Sequence, residues 1–355
     1  GYQMIKNAKI YIAGHNGLVG SSILKFLKKM DCPNIVIKSH SELDLLNAAQ
    51  VKSFFERENP EYVFLCAAKV GGILDNKNHK ADFIFQNLQI QNNIIHQSYL
   101  HGVKKLIFIA STSIYPKDLN EVRESDLMKG ELDYSNESYA IAKIAGLKMC
   151  EAYNIQHNTN FISLVPTNLY GENDRFDLEK AHVVPALIRK FHLARLLMEK
   201  RYEEILRDLK IKNLEEAENY LNQFGINNNS LIIWGSGNAK REFLHVDDLA
   251  EACVFIMDSI NFKDLYKSND SEIKNIHINV GPNENISIKE LAYIIRDIVD
   301  YKGNLIFDKA KPEGSLNRLT DCSKMHSLGW HHKISLADGI KKLYNWYLKK
   351  NKEGK

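Results

Sequence analysis

The sequence predicts an α/β protein: a doubly wound parallel sheet followed by a smaller mixed α/β C-terminal part. Three observations carry that prediction. Short, nearly unbroken apolar runs alternate with longer amphipathic stretches, a glycine-rich turn follows the first run, and the alternation gives way near residue 172 to shorter, mixed elements. Strands that are apolar on both faces belong to parallel sheets covered by helices on either side.

The strands in order are "KIYIAG" (9–14), "NIVIKS" (34–39), "EYVFLCAA" (61–68), "KKLIFIAST" (104–112) and "NFISLVPTN" (160–168). Between them, 18–30, 79–101 and 138–157 have the apolar spacing of helices, and right-handed crossovers wind the sheet in both directions. This sheet domain spans 4–171, with 243–260 ("FLHVDDLAEACVFIMDSI") able to pack back onto it. Residues 172–355 form the second part, with short strands in "SLIIWGSG", "HINVGP" and "LIFD" and helices in "AHVVPALIRKFH", "ISIKELAYIIRDIVDYKG" and "SLADGIKKLYNWYLKKN". A charged helical stretch at about 195–229 reads as an exposed excursion rather than extra core.

Composition narrows the function class. The 355 residues suffice for one large or two modest domains, and 44% hydrophobic with 26% charged residues is ordinary for a globular protein. A net charge of +3 is too slight to indicate nucleic acid. The five cysteines, Cys32, Cys66, Cys150, Cys253 and Cys322, are scattered without a C-x-x-C pair, so neither a metal site nor a disulfide framework is expected. No apolar run reaches the roughly 18 residues of a membrane span, and no signal peptide is evident. The expectation is a cytoplasmic protein that engages neither membrane nor nucleic acid.

Gly14, Gly17 and Gly20 stand as G-x-x-G-x-x-G between the first strand and the first helix. Bare backbone at a helix N-terminus, here shared with Asn16, Leu18 and Val19, suits the pyrophosphate of a dinucleotide and makes the sheet Rossmann-type. The tip of the second strand carries Lys38, Ser39 and His40 with no acid before Glu42, which favours the 2′-phosphate of NADP over the free ribose of NAD. Asp44 is placed for the adenine amino group, beside Leu45. In "CAAKVGG" (66–72), Ala67 and Ala68 let a dinucleotide lie against the backbone, while Val70, Gly71 and Gly72 leave room for substrate.

Tyr139 and Lys143, four apart in "SYAIAK", share one face of a helix. An ammonium group there is expected to lower the phenol pKa from about 10, so that the tyrosine can exchange a proton with a carbonyl or alcohol oxygen. Ser111, Thr112 and Ser113 supply hydroxyls at the end of the fourth strand, on the edge where ligands of such sheets bind.

Together the segments "AGHNGLVGS", "AAKVGGI", "YAIAKIAG", "PTNLYG", "HVVPALIRKFH", "WGSGNAKREFLHVDD", "HINVG" and "LGWHHKISL" closely resemble the extended short-chain dehydrogenase/reductases, and within them the GDP-L-fucose synthase family. The resemblance covers nearly the whole chain. It implies an NADPH-dependent enzyme acting on a GDP-4-keto-6-deoxy sugar, epimerising C3 and C5 and reducing the C4 ketone. It implies Tyr139 as proton donor, Lys143 as holder of the nicotinamide ribose and Ser111 as hydrogen-bond donor to the carbonyl oxygen. Pro166 and Asn168 fall at the cofactor and substrate, and Lys190, Trp234, Arg241 and Lys311 where the family grips GDP. It further implies a homodimer paired through 79–101 and 138–157.

One position departs from the family. The epimerising cysteine, two residues after the catalytic serine, is Ser113, although the partner histidine is present as His182. A thiol of pKa about 8.5 becomes a base at modest cost, whereas a serine hydroxyl needs a neighbouring base. The expectation is therefore a C4 reductase with weak or absent epimerase activity, on a hexose or a heptose. The alternative is the full epimerase/reductase. A nucleotide-sugar 4-epimerase would keep NAD and an acid after the second strand, a 4,6-dehydratase would place an acidic pair where Thr112 and Ser113 stand, and a non-enzymatic dinucleotide sensor would be free to lose Tyr139 or Lys143.

Overall fold

All four residues of strand β1 (Ile10–Ala13) are buried, as are those of β3 (Tyr62–Leu65), β4 (Lys105–Ile109) and β6 (Phe161–Pro166), so these strands lie between layers that cover both faces. The structure is a computed structural model that describes residues 2–3, 5–71, 73–312 and 317–354. It divides into two units: Gly1–Leu169 with Leu244–Asn283 and Leu319–Lys333, and Tyr170–Phe243 with Glu284–Arg318 and Ile334–Lys355.

In the first unit a six-stranded sheet has the order β11-β6-β4-β3-β1-β2, where β2 is Ile35–Val36 and β11 is Ile278–Val280. Every pairing in it is parallel. The strand order reverses between β1 and β3, and the loops leaving their carboxyl ends are the glycine turn and "CAAKVGG". Such a reversal point is where open parallel sheets bind ligands. The helices of this unit are α1 (Leu18–Lys29), α2 (Ala48–Glu58), α3 (Ile73–Asn78), α4 (Lys80–Leu100), α5 (Glu137–His157), α9 (Val246–Ser259) and α11 (Ser323–Ser327). A short parallel pair, β5 (Glu121–Val122) with β14 (Leu319–Thr320), completes it. The chain passes between the units within β7 (Asn168–Tyr170) and β10 (Phe243–His245), and again at 283–284, 318–319 and 333–334.

The second strand is shorter than the predicted 34–39. It lies at the sheet edge with both residues half-buried, and beyond it the Glu42 carboxylate accepts from the Ser39 backbone N–H and hydroxyl, each at 2.9 Å, so the backbone turns away.

The second unit holds two small sheets: β8 (Ser230–Trp234) parallel to β13 (Asn304–Asp308), and β9 (Lys240–Arg241) antiparallel to β12 (Ile286–Ser287). Helices α6 (Val183–Met198), α7 (Tyr202–Leu209), α8 (Leu214–Gln223), α10 (Ile288–Val299) and α12 (Leu336–Lys352) pack around one apolar cluster. The 195–229 stretch departs from the sequence expectation. Ile205, Ala217 and Leu221 lie inside this core, and the Asp208 carboxylate is held by Arg189 at 2.8 Å, by Asn351 at 2.7 Å and by the Tyr347 phenol. The charge density had masked an apolar stripe that recurs every three to four residues. Among the described residues no helix is long and apolar enough to cross a membrane.

Helix α9 packs on α1, the helix that follows the glycine turn. His245 caps α9 through its Nδ1, which accepts from the Asp247 backbone N–H at 3.0 Å. The Asp247 carboxylate accepts from Ser22 at 2.7 Å and from Lys25 at 2.9 Å, both on α1. Burial pushes the Asp247 pKa up, but these hydrogen bonds and the Lys25 charge more than offset it and hold the carboxyl well below the usual range. A depressed carboxylate stabilises the fold above its ordinary pKa of about 4 and loses that contribution as pH falls. Asp247→Asn is expected to cost about 1–3 kcal/mol at neutral pH and to flatten the loss of stability below about pH 4, measured by urea unfolding across the acid range.

Candidate active site

The turn after β1 is built for an anion. Gly14 adopts φ +86°, and a Cβ there would lie 2.6 Å from the backbone N of Ala67 in the neighbouring loop. A Cβ on Gly20 would meet the Gly14 carbonyl at 2.0 Å, whereas one on Gly17 meets nothing nearer than 3.6 Å. Two glycines therefore bring backbones together and the third leaves an open face. Helix α1 starts there with no side-chain cap and no acidic residue in its first turn, so its positive end is left for a ligand. Asn16 and Gly17 are exposed, Leu18 and Val19 half-buried. This arrangement fits a dinucleotide pyrophosphate.

Around β2, Lys38 and Ser39 are half-buried and His40 is exposed. Glu42 folds back onto Ser39, so an acid does reach the tip of the strand, although the sequence places it three residues on. Asp44 accepts from the Leu46 N–H at 3.0 Å, which fixes its own turn. The carbonyls of Leu45 and Leu46 accept from Asn93 and Gln89 of α4.

The loop after β3 is clamped by a residue that the motif reading passed over. Asn87, on α4 and buried, accepts from the Lys69 N–H at 3.0 Å and donates to the Lys69 carbonyl at 3.0 Å. Ala67 and Ala68 are half-buried along this floor, and Val70 is exposed. Gly71 does not leave the room expected of it: a Cβ there would meet Asp75 at 2.8 Å and Phe83 at 3.0 Å, so its smallness serves packing. Gly72 lies outside the described residues.

At the end of β4 the chain enters a tight turn, Thr112–Ile114, with Ser111 as its cap. Ser111 Oγ accepts from the Ser113 backbone N–H at 3.3 Å and from the Ser113 hydroxyl at 3.2 Å. Ile114 and Tyr115 are buried below, and the Tyr115 phenol donates to Asn279 of β11. Helix α5 packs against this turn and against α4. Gly146 permits the approach, because a Cβ there would lie 2.6 Å from the Phe108 ring and 2.7 Å from the Gln91 amide nitrogen.

Lys143 is 3% exposed, and its amine donates to the Ile109 carbonyl at 3.0 Å, lying 5.0 Å from the Phe108 ring centroid and 5.5 Å from that of Tyr139. Tyr139 is half-buried, with its ring edge-on to Phe83. The expected lowering of the tyrosine pKa is reversed. Burial pushes the phenol up to about 12, and the same burial pushes the Lys143 amine down to about 8, partly opposed by the neighbouring Cys66. Desolvation, which disfavours the charged form of each group, is the leading cause of both shifts. Tyr139 is thus held in its proton-donating form. Pro166 is buried at the end of β6, and Asn168 is exposed two residues on.

The remaining predicted residues belong to the second unit. Trp234, at the end of β8, is exposed, and the Lys311 amine lies 5.3 Å from its ring centroid. Arg241, in β9, donates to the Lys240 carbonyl at 2.8 Å, and burial lowers its pKa. Lys190 is half-buried on α6 with its pKa lowered by burial. His182 is the residue before α6; it reaches the surface, yet desolvation and the Arg175 charge both lower its pKa.

Residues 10–281 match the NAD dependent epimerase/dehydratase family. The chain belongs to that family. It is 46% identical to GDP-L-fucose synthase 1 of Arabidopsis thaliana over 345 residues, 97% of this chain and 94% of the relative. Among solved structures it is similar to DdhaC, at 58% identity and a TM-score of 0.89 with 98% of each chain covered. It is also similar to MlghC, a GDP-mannoheptose C4 reductase from Campylobacter jejuni with NADP bound, at 50% identity and a TM-score of 0.89 over 97% of this chain and 99% of that one.

Asn87 and Gln91 were legible in principle, since they are two amides four apart within the apolar stripe of Phe83, Ile90 and Ile94. Within this epimerase/dehydratase fold their work is to fix the floor and the neighbouring helix, since Gln91 donates to the Ala142 carbonyl at 2.9 Å. Asn87→Leu strands both backbone groups of Lys69. A loss of about 1–3 kcal/mol is expected, and hydrogen exchange at the Lys69 amide should accelerate selectively relative to the β1 and β4 amides.

Proposed function

We propose that this chain reduces the C4 ketone of a GDP-4-keto-6-deoxy sugar with NADPH and epimerises C3 and C5 weakly or not at all. The observation that carries the reading is the grouping at the carboxyl end of β4: a protonated Tyr139 and a buried Lys143 amine on one helix that packs against the hydroxyl pair of Ser111 and Ser113. NADPH is supported by the glycine cradle, by Lys38 at the tip of β2, where Glu42 takes the Ser39 hydroxyl, and by the NADP named with a relative half identical to this chain. A GDP-sugar is supported by that relative and by the GDP-L-fucose synthases, and a heptose by the GDP-mannoheptose reductase. Exposed Phe85, Leu100, Ile141 and Ile155 on α4 and α5 support the pairing of two copies through these helices.

When bound, the reduced nicotinamide supplies the hydride. The chain does the rest. Ser111 donates to the ketone oxygen and withdraws electron density from the carbonyl. Tyr139 gives its proton to the oxygen as negative charge develops there. The Lys143 charge stabilises the phenolate left behind, and its anchorage to Ile109 keeps it from swinging away. Ser113 has no thiol to form a base, which leaves the carbons next to the ketone without the group that the family uses there.

Wild-type protein mixed with NADPH and a GDP-4-keto-6-deoxy sugar should consume NADPH, followed at 340 nm. Tyr139→Phe should lose at least about a hundredfold in kcat with NADPH affinity retained; undiminished turnover would reject Tyr139 as the acid. In deuterated water the product should carry no deuterium at C3 or C5, and efficient labelling at either carbon rules out the reductase-only reading. The pH profile separates the two titrating groups. The Lys143 charge is present below its pKa of about 8 and is lost above it, so kcat/KM should fall as pH rises through about 8. Lys143→Arg, which stays charged, should remove that limb.

A further inference from the structure

A serine hydroxyl has one proton to donate and two lone pairs with which to accept. On Ser111 both lone pairs are taken by one residue: the backbone N–H of Ser113 at 3.3 Å and the Ser113 hydroxyl at 3.2 Å. With both lone pairs so occupied, what Ser111 Oγ has left to offer is its own proton. A hydroxyl in that state cannot compete for the substrate's protons; it can only donate. We propose that Ser113 is a positioning residue for carbonyl reduction, because its hydroxyl fills the second lone pair of Ser111 and thereby commits the Ser111 proton to the ketone oxygen.

This rests on the reductase reading above and gives Ser113 a role there in place of the missing thiol. The replacement is chemically specific: a thiol is a weak donor with a larger atom, so cysteine at 113 would leave the Ser111 lone pair poorly filled. The turn is also held well enough for such a contact to persist. Ile114 donates its N–H to the Ser111 carbonyl and Tyr115 its N–H to the Thr112 carbonyl, each at 3.2 Å. Below them the Tyr115 phenol is fastened to Asn279, whose own N–H donates to the buried Glu124 carboxylate at 3.0 Å. Residues 111–115 are therefore tied to β11, two strands away from β4 across the sheet.

A double-mutant cycle over Ser111 and Ser113 tests the inference, with single-turnover NADPH oxidation at 340 nm and a GDP-4-keto-6-deoxy sugar as substrate. Ser113→Ala should lower the rate about fivefold to tenfold while leaving NADPH affinity and substrate KM within twofold of wild type. Made on Ser111→Ala, the same change should alter the rate less than twofold, because its target is gone. Ser113→Thr, which keeps the hydroxyl, should recover most of the rate, and Ser113→Cys should fall between threonine and alanine. Equal losses in both backgrounds, or no loss from Ser113→Ala, would overturn the positioning role; melting temperatures and NADPH affinities of all variants identify any loss that comes from misfolding. Failure of the underlying reading looks different. Wild-type protein that does not oxidise NADPH overturns both proposals, and solvent deuterium at C3 or C5 that disappears in Ser113→Ala would make Ser113 an epimerising group instead.

Discussion

The amine of Lys143 sits inside the protein, on a helix, with its proton pointed at the carbonyl that ends strand β4. That hydrogen bond sets the register of α5 against the sheet, and three features of the site depend on it. It needs the close approach that Gly146 allows against Phe108 and Gln91. It places Tyr139, one helical turn back, against Phe83 and within 5.5 Å of the amine by its ring centroid. It also holds α5 against the turn that carries Ser111. A buried amine with one backbone partner is costly to desolvate, and the downward shift of its pKa to about 8 measures that cost.

The same burial explains why the tyrosine behaves opposite to the simplest sequence argument. Two residues four apart on a helix suggest a phenol tuned by an ammonium ion, and in water the attraction would dominate. Here Lys143 is buried and Tyr139 half-buried, desolvation shifts each toward its neutral form, and Tyr139 is kept protonated. A phenol of ordinary pKa near 10 is already protonated at neutral pH, and burial keeps Tyr139 so.

Much of the architecture was legible because it follows from periodicity. The unbroken apolar runs became buried parallel strands, and the glycine spacing became a turn with an open face. What escaped was of two kinds. The edge strand β2 is cut short by the Ser39–Glu42 turn, a local competition between side chain and backbone that an apolar pattern does not encode. The 195–229 stretch reads as a solvated excursion because charged residues are interleaved with its apolar ones, yet Ile205, Ala217 and Leu221 lie on an inner face that only a helical projection separates out. The Asn87–Gln91 pair stands out in sequence only as two amides four apart in an apolar stripe; what Asn87 does comes from the loop it faces.

Of the seven amides on helix α4, four stand at alternate positions, 87, 89, 91 and 93, and the helical repeat sorts these into two pairs that point in nearly opposite directions. Asn87 and Gln91 reach the floor loop and α5, while Gln89 and Asn93 reach the turn at residues 45–46. The gap between the turn at residues 45–46 and the floor is thereby set by the diameter of a stiff rod rather than by either loop. Such a spacer works like a carpenter's gauge: each loop can be redrawn in sequence while the span between them stays constant, and a guest of different girth would have to displace twenty-one residues at once.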